Sequence, residues 1–535
     1  MNMIVFTTVV LLYLLVVVYL GYRGYRETKT AADYLVAGRD IHPLVMSLSY
    51  GSTFISTSAI VGFGGAAAVF GMGLLYLTFL NIFFGIFIAF VFFGKRTRRM
   101  GLNMNAHTFP EFLGNRFDSR FLQGASGLLI FIFMPLYAAV VLMGGAQFVA
   151  QAFAIPYNTA LFFFTAIIGV YVIMGGLKGV MYTDAFQGFL MLLGMTFLLV
   201  FTYVKLGGVI EAHRTLTAMK DLVPPPLAAK GHNGWTSFPP FGTENWWVLV
   251  TSIILGVGIG VLAQPQLVVR FMTVKSDRDL NRAVLAGGFF IFMMTGVAFI
   301  VGALSNVYFV NNPAFGKIAL LAAGKNVDNI IPLYITSALP HWFTAVFMIT
   351  LLAAAMSTLS SQFHVAGTAA GRDVWEKCIK GKGGTILITK VGILVSIVAA
   401  FLLAWVLPAF FEEGTAIIAR GTAIFFGLCA TAFLPMFIGS LYSRSINRTA
   451  AISGFLAGFL VALFMTLFIH TKESAPLLLC NALFGKASLA LGSKWEFVDP
   501  LVVALPVSAL TTLLANNFGK RLPPKHVENC FDGIR

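Results

Sequence analysis

Long apolar runs alternate with short polar breaks along the whole chain, and most runs reach the roughly 18–20 residues that cross a hydrocarbon core as a helix. Hydropathy and breaker residues predict about thirteen helical spans: 3–22, 44–70, 73–94, 122–152, 157–176, 181–206, 245–268, 283–308, 340–370, 386–408, 416–442, 449–470 and 498–516. The longest polar interruptions, 207–244, 309–339 and 471–497, are loop-sized, so no soluble domain is left over. Two spans depart from the lipid-facing pattern. Span 44–70 sets Ser49, Ser52, Thr53, Ser56, Thr57 and Ser58 among Gly51, Gly62, Gly64 and Gly65, where Leu and Phe are expected. Span 245–268 carries Gly256, Gly258 and Gly260 before Gln264-Pro265, and proline removes one backbone donor. Close helix packing through small residues accounts for one such span. Two of them, five spans apart, point to interrupted helices at matching places in two halves, where transporters build their sites.

Composition sharpens the class. Of 535 residues, 58% are hydrophobic and only 11% charged, against about 25% charged in soluble domains. This predicts an all-α polytopic membrane protein and excludes a soluble enzyme, a disulfide scaffold or a disordered chain. The net charge of +15 reports loop orientation rather than a nucleic-acid partner. Most of the 36 Lys and Arg fall in the loops after the odd-numbered spans and in the C-terminal tail, with the densest cluster at Lys95, Arg96, Arg98 and Arg99. The positive-inside rule then places the N-terminus outside and the C-terminus in the cytoplasm, with the basic clusters as anchors against anionic membrane lipid. Met1–Thr8 holds no Lys or Arg and no small-residue cleavage site follows, so the first run reads as a transmembrane helix rather than a leader. The four Cys and eight His form no CxxC, HExxH or other metal spacing, and no nucleotide-binding or nucleophile motif occurs. The chain is expected not to be an enzyme.

The candidate chemistry lies in neutral oxygens. On the span map only Asp184 falls inside an apolar segment, so an ion at mid-membrane needs uncharged ligands. Span 340–370 contains Ala353-Ala354-Ala355-Met356-Ser357-Thr358-Leu359-Ser360-Ser361-Gln362. Ser357 and Ser361 share a helix face, and Ser357 and Thr358 are adjacent hydroxyls on small-residue ground. Bonding back to the preceding turn is the plain alternative. Hard cations take oxygen ligands, and hydroxyls plus the carbonyls of a broken helix would form a neutral cage for a monovalent cation. His364 reads as a satisfied histidine near the cytoplasmic mouth, with proton carriage as the alternative.

These segments resemble the sodium:solute symporter family over about residues 30–450. The resemblance rests on Ser52-Thr53-Phe54-Ile55-Ser56, on Gly175-Gly176-Leu177-Lys178-Gly179 through Tyr182-Thr183-Asp184-Ala185-Phe186-Gln187, on Gln264-Pro265-Gln266 to Arg270-Phe271, and on Ala353 to Gln362 followed by Arg372-Asp373. It implies a leucine-transporter-like fold with an inverted five-plus-five repeat. The repeats would be 41–206 and 245–442, with a first flanking helix at 1–30, flanking spans at 449–516 and a cytoplasmic tail at 517–535. It further implies alternating access coupled to Na+, held by Ser52, Ile55, Ala354, Ser357 and Thr358, with Asp184 in ion release or gating. Proline-type members carry Asp where Phe54 stands, and Trp and Tyr where Val257 and Val261 stand. The Thr53-Phe54-Ile55-Ser56 segment is nearer to pantothenate- and monocarboxylate-type members.

The expectation is therefore sodium-coupled import of a small organic solute, a carboxylate or amino acid, across a plasma membrane of prokaryotic type. From the break positions, Ser56, Thr57, Gly258, Val261 and Gln264 are the candidate solute-facing residues. No obligatory protein partner is expected. Two alternatives stay open: a transporter-fold solute sensor, and a proton-coupled symporter.

Overall fold

The computed structural model describes residues 3–174, 176–380, 385–410 and 416–534, and regular structure over these residues is entirely helical. Gly175 of the signature segment, the first two residues of the flanking helix and the last residue of the tail lie outside the described residues. In chain order the elements that matter here are α1 (Met3–Glu27), α2 (Pro43–Phe54), α3 (Ser58–Asn103), α4 (Phe109–Arg116), α5 (Arg120–Phe153), α6 (Tyr157–Met174), α7 (Leu177–Lys205), α8 (Glu244–Ala263) and α9 (Pro265–Phe271). There follow α10 (Asp277–Asn311), α11 (Ile330–Ala338), α12 (His341–Ile379), α13 (Leu387–Ala409), α14 (Ile417–Tyr442), α15 (Arg448–Ile469), α16 (Pro500–Ala515) and α17 (Pro524–Cys530).

Every expected span overlaps one of these helices. Among the described residues ten helices are long and apolar enough to cross a membrane, and Tyr157–Gly169 and Pro500–Ala515 are shorter. The difference from thirteen has a physical source. The first broken span leaves α2 only 12 residues long, and its second half runs on into the 46-residue stretch Ser58–Asn103. That stretch turns at Gly71, whose φ is +74°, and a Cβ there would sit 2.1 Å from the Trp235 carbonyl oxygen. Only glycine tolerates both the angle and the contact.

Burial grades the helices from centre to rim. In the apolar windows of α12 and α14, 83% of residues are buried, against 17% for α1 and 28% for α15. The outer helices present Leu12, Leu15, Phe162, Phe163, Leu387 and Leu513 outward, as a lipid-facing surface requires.

The polar interruptions are ordered rather than loose. Trp235 donates its ring N–H to the Ala68 carbonyl (2.7 Å), and His232 bonds the Val69 carbonyl (2.7 Å), so the 207–244 segment caps the bend at Gly71. At the opposite, basic end, Arg98 and Arg99 pair with Asp277 through their Nε atoms (2.8 and 2.6 Å), and Arg96 lies 4.4 Å over the Tyr442 ring. The basic cluster expected to anchor lipid is thus bound in large part to the protein itself. The tail folds as α17 against this end, with His526 on the Arg116 carbonyl and Phe531 and Ile534 buried. Of the four free cysteines only Cys378 is exposed, in keeping with a packing role for the others.

Candidate cation and solute site

Two breaks position the site. Pro43 at the first turn and the His42 side chain start α2, which runs to Phe54. Ile55 then turns extended (ψ 104°), although its N–H still closes on the Gly51 carbonyl (2.8 Å). The Ser56 hydroxyl accepts the Ser58 N–H (3.2 Å), and helix resumes. The second break is narrower than the sequence suggested. Gly256–Ala263 stays helical, only Gln264 is extended (ψ 117°), and Pro265 opens α9 at its first position, where its missing N–H costs nothing.

The first break aims the last carbonyls of α2 at α12. Ser357 Oγ donates to the Ser52 carbonyl (2.9 Å), and Thr358 Oγ1 reaches the carbonyls of Ser52 (3.3 Å) and Thr53 (3.1 Å). Ser357 Oγ also lies 3.2 Å from the Ala354 carbonyl. The structure therefore brings together Ser52, Ala354, Ser357 and Thr358, all fully buried. Ile55 stands beside them at the break, but no hydroxyl of the described residues donates to its carbonyl. These oxygens form a neutral cluster with the chemistry a small hard cation requires. An incoming ion would take the lone pairs while the two hydroxyl protons rotate away.

Beside the cluster lies a charge pair that sequence reasoning missed. Asp184 on α7 is fully buried, and its Oδ2 accepts from Arg270 Nη2 on α9 at 2.8 Å. Its partner is a helix residue rather than a loop base, because Arg270 belongs to the helix that Pro265 starts. Ser49, Thr53 and Ser361 hydroxyls lie 3.1, 3.2 and 3.3 Å from the same oxygen, and Ser360 donates to Oδ1 at 3.3 Å. Arg270 also reaches Ser49 Oγ (3.1 Å), Thr53 Oγ1 (2.6 Å), Ser361 Oγ (2.6 Å) and the Gln266 carbonyl (2.5 Å). Ser360 and Ser361 were visible as the continuation of the hydroxyl run; Arg270 was visible within the Gln264–Phe271 segment, but without a role or a partner.

The solute-facing candidates divide into two groups. Ser56 pairs with Ser58 (2.6 Å) beside the Tyr137 phenol, and Tyr137 packs edge-on to Phe426, which stacks on Phe54. Gly85 lies between Phe54 and Val261, and Gln264 bonds the Gly260 carbonyl (3.3 Å) and Gln266 (3.2 Å). Thr57 instead donates to the Val141 carbonyl (2.5 Å) on α5, and Gly258 is closed against Leu80. Both of these serve helix packing in this conformation.

Two sequence readings change. Asp373 also falls inside a long helical run, in α12, and is fully buried with Thr108 Oγ1 and Gln123 Nε2 each 2.8 Å from its Oδ1. His364 is not a satisfied histidine: it is buried 5.3 Å from the Tyr34 ring, and neither ring nitrogen has a hydrogen-bond partner. Nearby, Glu111 on α4 is nearly buried. Burial acts to raise its carboxyl, but hydrogen bonds from His107 and the Arg372 charge outweigh it and hold the group at about 2.

The sodium:solute symporter family profile matches residues 34–458. The chain belongs to the sodium:solute symporter family. Its activity is sodium-coupled symport, with Na+ as the coupling ion. Curated relatives agree in kind. The chain is 27% identical to sodium/proline symporter 2 of Staphylococcus saprophyticus, covering 98% of this chain and 95% of that one. It is 28% identical to a sodium/proline symporter of Staphylococcus aureus, covering 93% and 91%. Among solved structures, a Na+-coupled sialic acid symporter superimposes with a TM-score of 0.73 at 20% identity, over 97% of this chain and 99% of the other. Mhp1, a nucleobase-cation-symport-1 family transporter, follows at TM-score 0.50 and 14% identity, over 94% and 99%. These two likenesses establish the leucine-transporter-like fold.

Proposed function

We propose that this symporter imports a small carboxylate or amino acid by alternating access, using the Ser52–Ser357–Thr358 cluster as its sodium cage. The observation that supports this most is the convergence of two hydroxyls of α12 on the Ser52 and Thr53 carbonyls in the last turn of α2. The cage then joins an element of the first repeat (41–206) to one of the second (245–442), so a bound cation bridges parts that alternating access moves. Ala354 and Ile55 complete the proposed ligand set. Asp184, through Arg270, gates release toward the basic end, which faces the cytoplasm on the positive-inside rule. The solute sits near Ser56, Val261 and Gln264, lined by Phe54, Tyr137 and Phe426. Its carboxylate would meet the N–H groups freed at a helix break. The relatives' substrate makes L-proline the first candidate. Phe54, Val257 and Val261 favour other carboxylates, because they leave an apolar lining where proline-type members carry Asp, Trp and Tyr. One inward charge gains about 2.3 kcal/mol per 100 mV of membrane potential.

The test is uptake into proteoliposomes of L-proline, pantothenate and short monocarboxylates, with and without an inward sodium gradient. Sodium-dependent accumulation of at least one supports the reading. Accumulation that follows pH in sodium-free buffer would move the coupling to protons. Binding without flux would make the protein a sensor.

A further inference from the structure

Ser357, Ser361, His364 and Thr368 follow one another on α12 at intervals of four, three and four residues, so they form one stripe on one face. The stripe starts at the proposed cage and ends at a separate cavity between α4, α9 and α12. This cavity, of about 10 Å³, is lined by His107, Thr108, Pro265, His364, Thr368 and Asp373 among others. It has room for one water-sized particle.

The polar groups around it are unusually short of partners. Asp373 is fully buried, with Oδ1 bonded to Thr108 and Gln123, but Oδ2 has no hydrogen-bond partner. His364 is 3% exposed with both ring nitrogens unbonded, whereas His107 Nδ1 lies 3.4 Å from Glu111 Oε2. Asp373 forms no ion pair among the described residues. The neighbouring Arg372 is bound to Glu111 (2.9 Å) and to Glu376. A buried carboxylate oxygen with neither a hydrogen bond nor a direct ion pair is costly unless a cation or proton meets it.

We propose that this cavity is a second Na+ station, separate from the cage. The ion would be held by Asp373 Oδ2 with the hydroxyl oxygens of Thr108 and Thr368, and the unbonded ring of His364 forms part of the cavity wall. The donor set decides the class of cation. It is one carboxylate and two hydroxyls, which suits a small hard ion. Among the described residues no group of three or more His, Cys, Asp or Glu is placed to hold a metal, which argues against a transition metal. Thr108 caps α4 by accepting the Glu111 N–H (3.0 Å), so the station is fastened to two helices at once. The proposal rests on the reading of the chain as sodium-coupled, and places the station between the cage and the basic end.

The experiment is equilibrium binding of radioactive sodium to the purified full-length protein by scintillation proximity. It compares wild type, D373N, D373E, T368V and the double variant S357A/T358A. The station predicts that D373N binds one Na+ fewer per chain while the affinity of the remainder is unchanged. D373E should keep the wild-type count, T368V should weaken the same increment several-fold, and S357A/T358A should lose a different equivalent. An unchanged count in D373N overturns the proposal, because the cavity then holds only water or a protonated carboxyl. Loss of all binding in D373N together with wild-type behaviour of T368V also overturns it, because Asp373 then supports the fold. If S357A/T358A binds like wild type while D373N loses one equivalent, the cage fails and the station stands. If wild type binds no sodium, both fall.

Discussion

The pair Asp184–Arg270 offers a sharp test of how this site is held together. Both side chains are 0% exposed, and they meet at 2.8 Å. In D184N the guanidinium keeps Ser49, Thr53, Ser361 and the Gln266 carbonyl but loses its only buried countercharge. Breaking a buried pair from one side typically costs about 3–5 kcal/mol. R270Q leaves the opposite charge, yet Asp184 retains four neighbouring hydroxyls, and a hydrogen bond to a charged group contributes about 1.5–3 kcal/mol. R270Q should therefore cost less than D184N. The double variant D184N/R270Q removes both charges and leaves the hydroxyls to bond two neutral amides, so most of the loss should return. The expected coupling is about 3 kcal/mol or more, roughly a hundredfold in an equilibrium constant.

The same cycle bears on the ion. Arg270 touches the Thr53 hydroxyl, and the Thr53 carbonyl accepts from Thr358 of the proposed cage. At an effective dielectric of about 20, two like unit charges about 8 Å apart repel by about 2 kcal/mol. D184N should then weaken sodium binding by at least about tenfold, and the double variant should restore it. The assay is thermal unfolding of detergent-purified protein across a sodium titration. It reads stability from the midpoint without sodium, and affinity from the shift with sodium. Additive losses in the double variant, or sodium affinity unchanged in D184N, would refute the reasoning.

Three further outcomes follow from the geometry. Replacing both hydroxyls in S357A/T358A removes two ligands worth about 1.5–3 kcal/mol each, so sodium-stimulated uptake should fall by more than about a hundredfold while the protein still folds; wild-type sodium dependence in proteoliposomes counts against the cage. Asp328 accepts the Ile418 N–H at the start of α14 (3.3 Å), and burial pushes its carboxyl up to about 7. A raised carboxyl favours the folded state below its ordinary value near 3.8 and loses that contribution as pH rises through about 7, so wild-type thermal stability should decline from about pH 6 to about pH 8 relative to D328N; parallel pH profiles would exclude this. Cys378 is the exposed thiol, at the end that carries the basic cluster, so a membrane-impermeant maleimide should label inverted vesicles and spare intact cells, and labelling of intact cells would reverse the proposed orientation.

What could be read from the sequence followed from local chemistry. Apolar run length located the helices, and the hydroxyl-rich stretch and Gln264-Pro265 located both breaks. The spacing of Ser357 and Thr358 on small-residue ground named the hydroxyls that meet Ser52. What was not legible depended on distant partners. Arg270 lies 86 positions from Asp184, and a span map that ended at 268 left it among the loop bases. Asp373 was hidden because the map ended span 340–370 three residues short of it, whereas α12 continues to Ile379. The polar segment 207–244 looked like loose loop, because Trp235 and His232 gain their partners only when the Gly71 bend brings Ala68 and Val69 alongside.

The last turn of α2 explains how a neutral cage and a buried charge pair coexist. Ser52 offers its carbonyl to Ser357 and Thr358 and its hydroxyl to the Asp184 carbonyl (2.9 Å). Thr53 offers its carbonyl to Thr358 and its hydroxyl to Arg270. Each residue thus meets the hydroxyls of the proposed cage with its main chain, while the Thr53 side chain meets the charge pair and the Ser52 side chain the main chain of α7. A cation arriving in the cage pulls on carbonyls whose own side chains hold Asp184 on α7 and Arg270 on α9. Because the pair is neutral as a whole, the cage feels a local dipole rather than a repelling charge. An apolar replacement of similar volume would match the pair for stability, but it would remove the contacts of the Thr53 hydroxyl with Arg270 and the Asp184 carboxylate and leave only the Ser52 bond to the α7 main chain. Retaining the pair therefore makes sense as a coupling device: it ties α9 to the turn whose carbonyls meet the hydroxyls of the proposed cage.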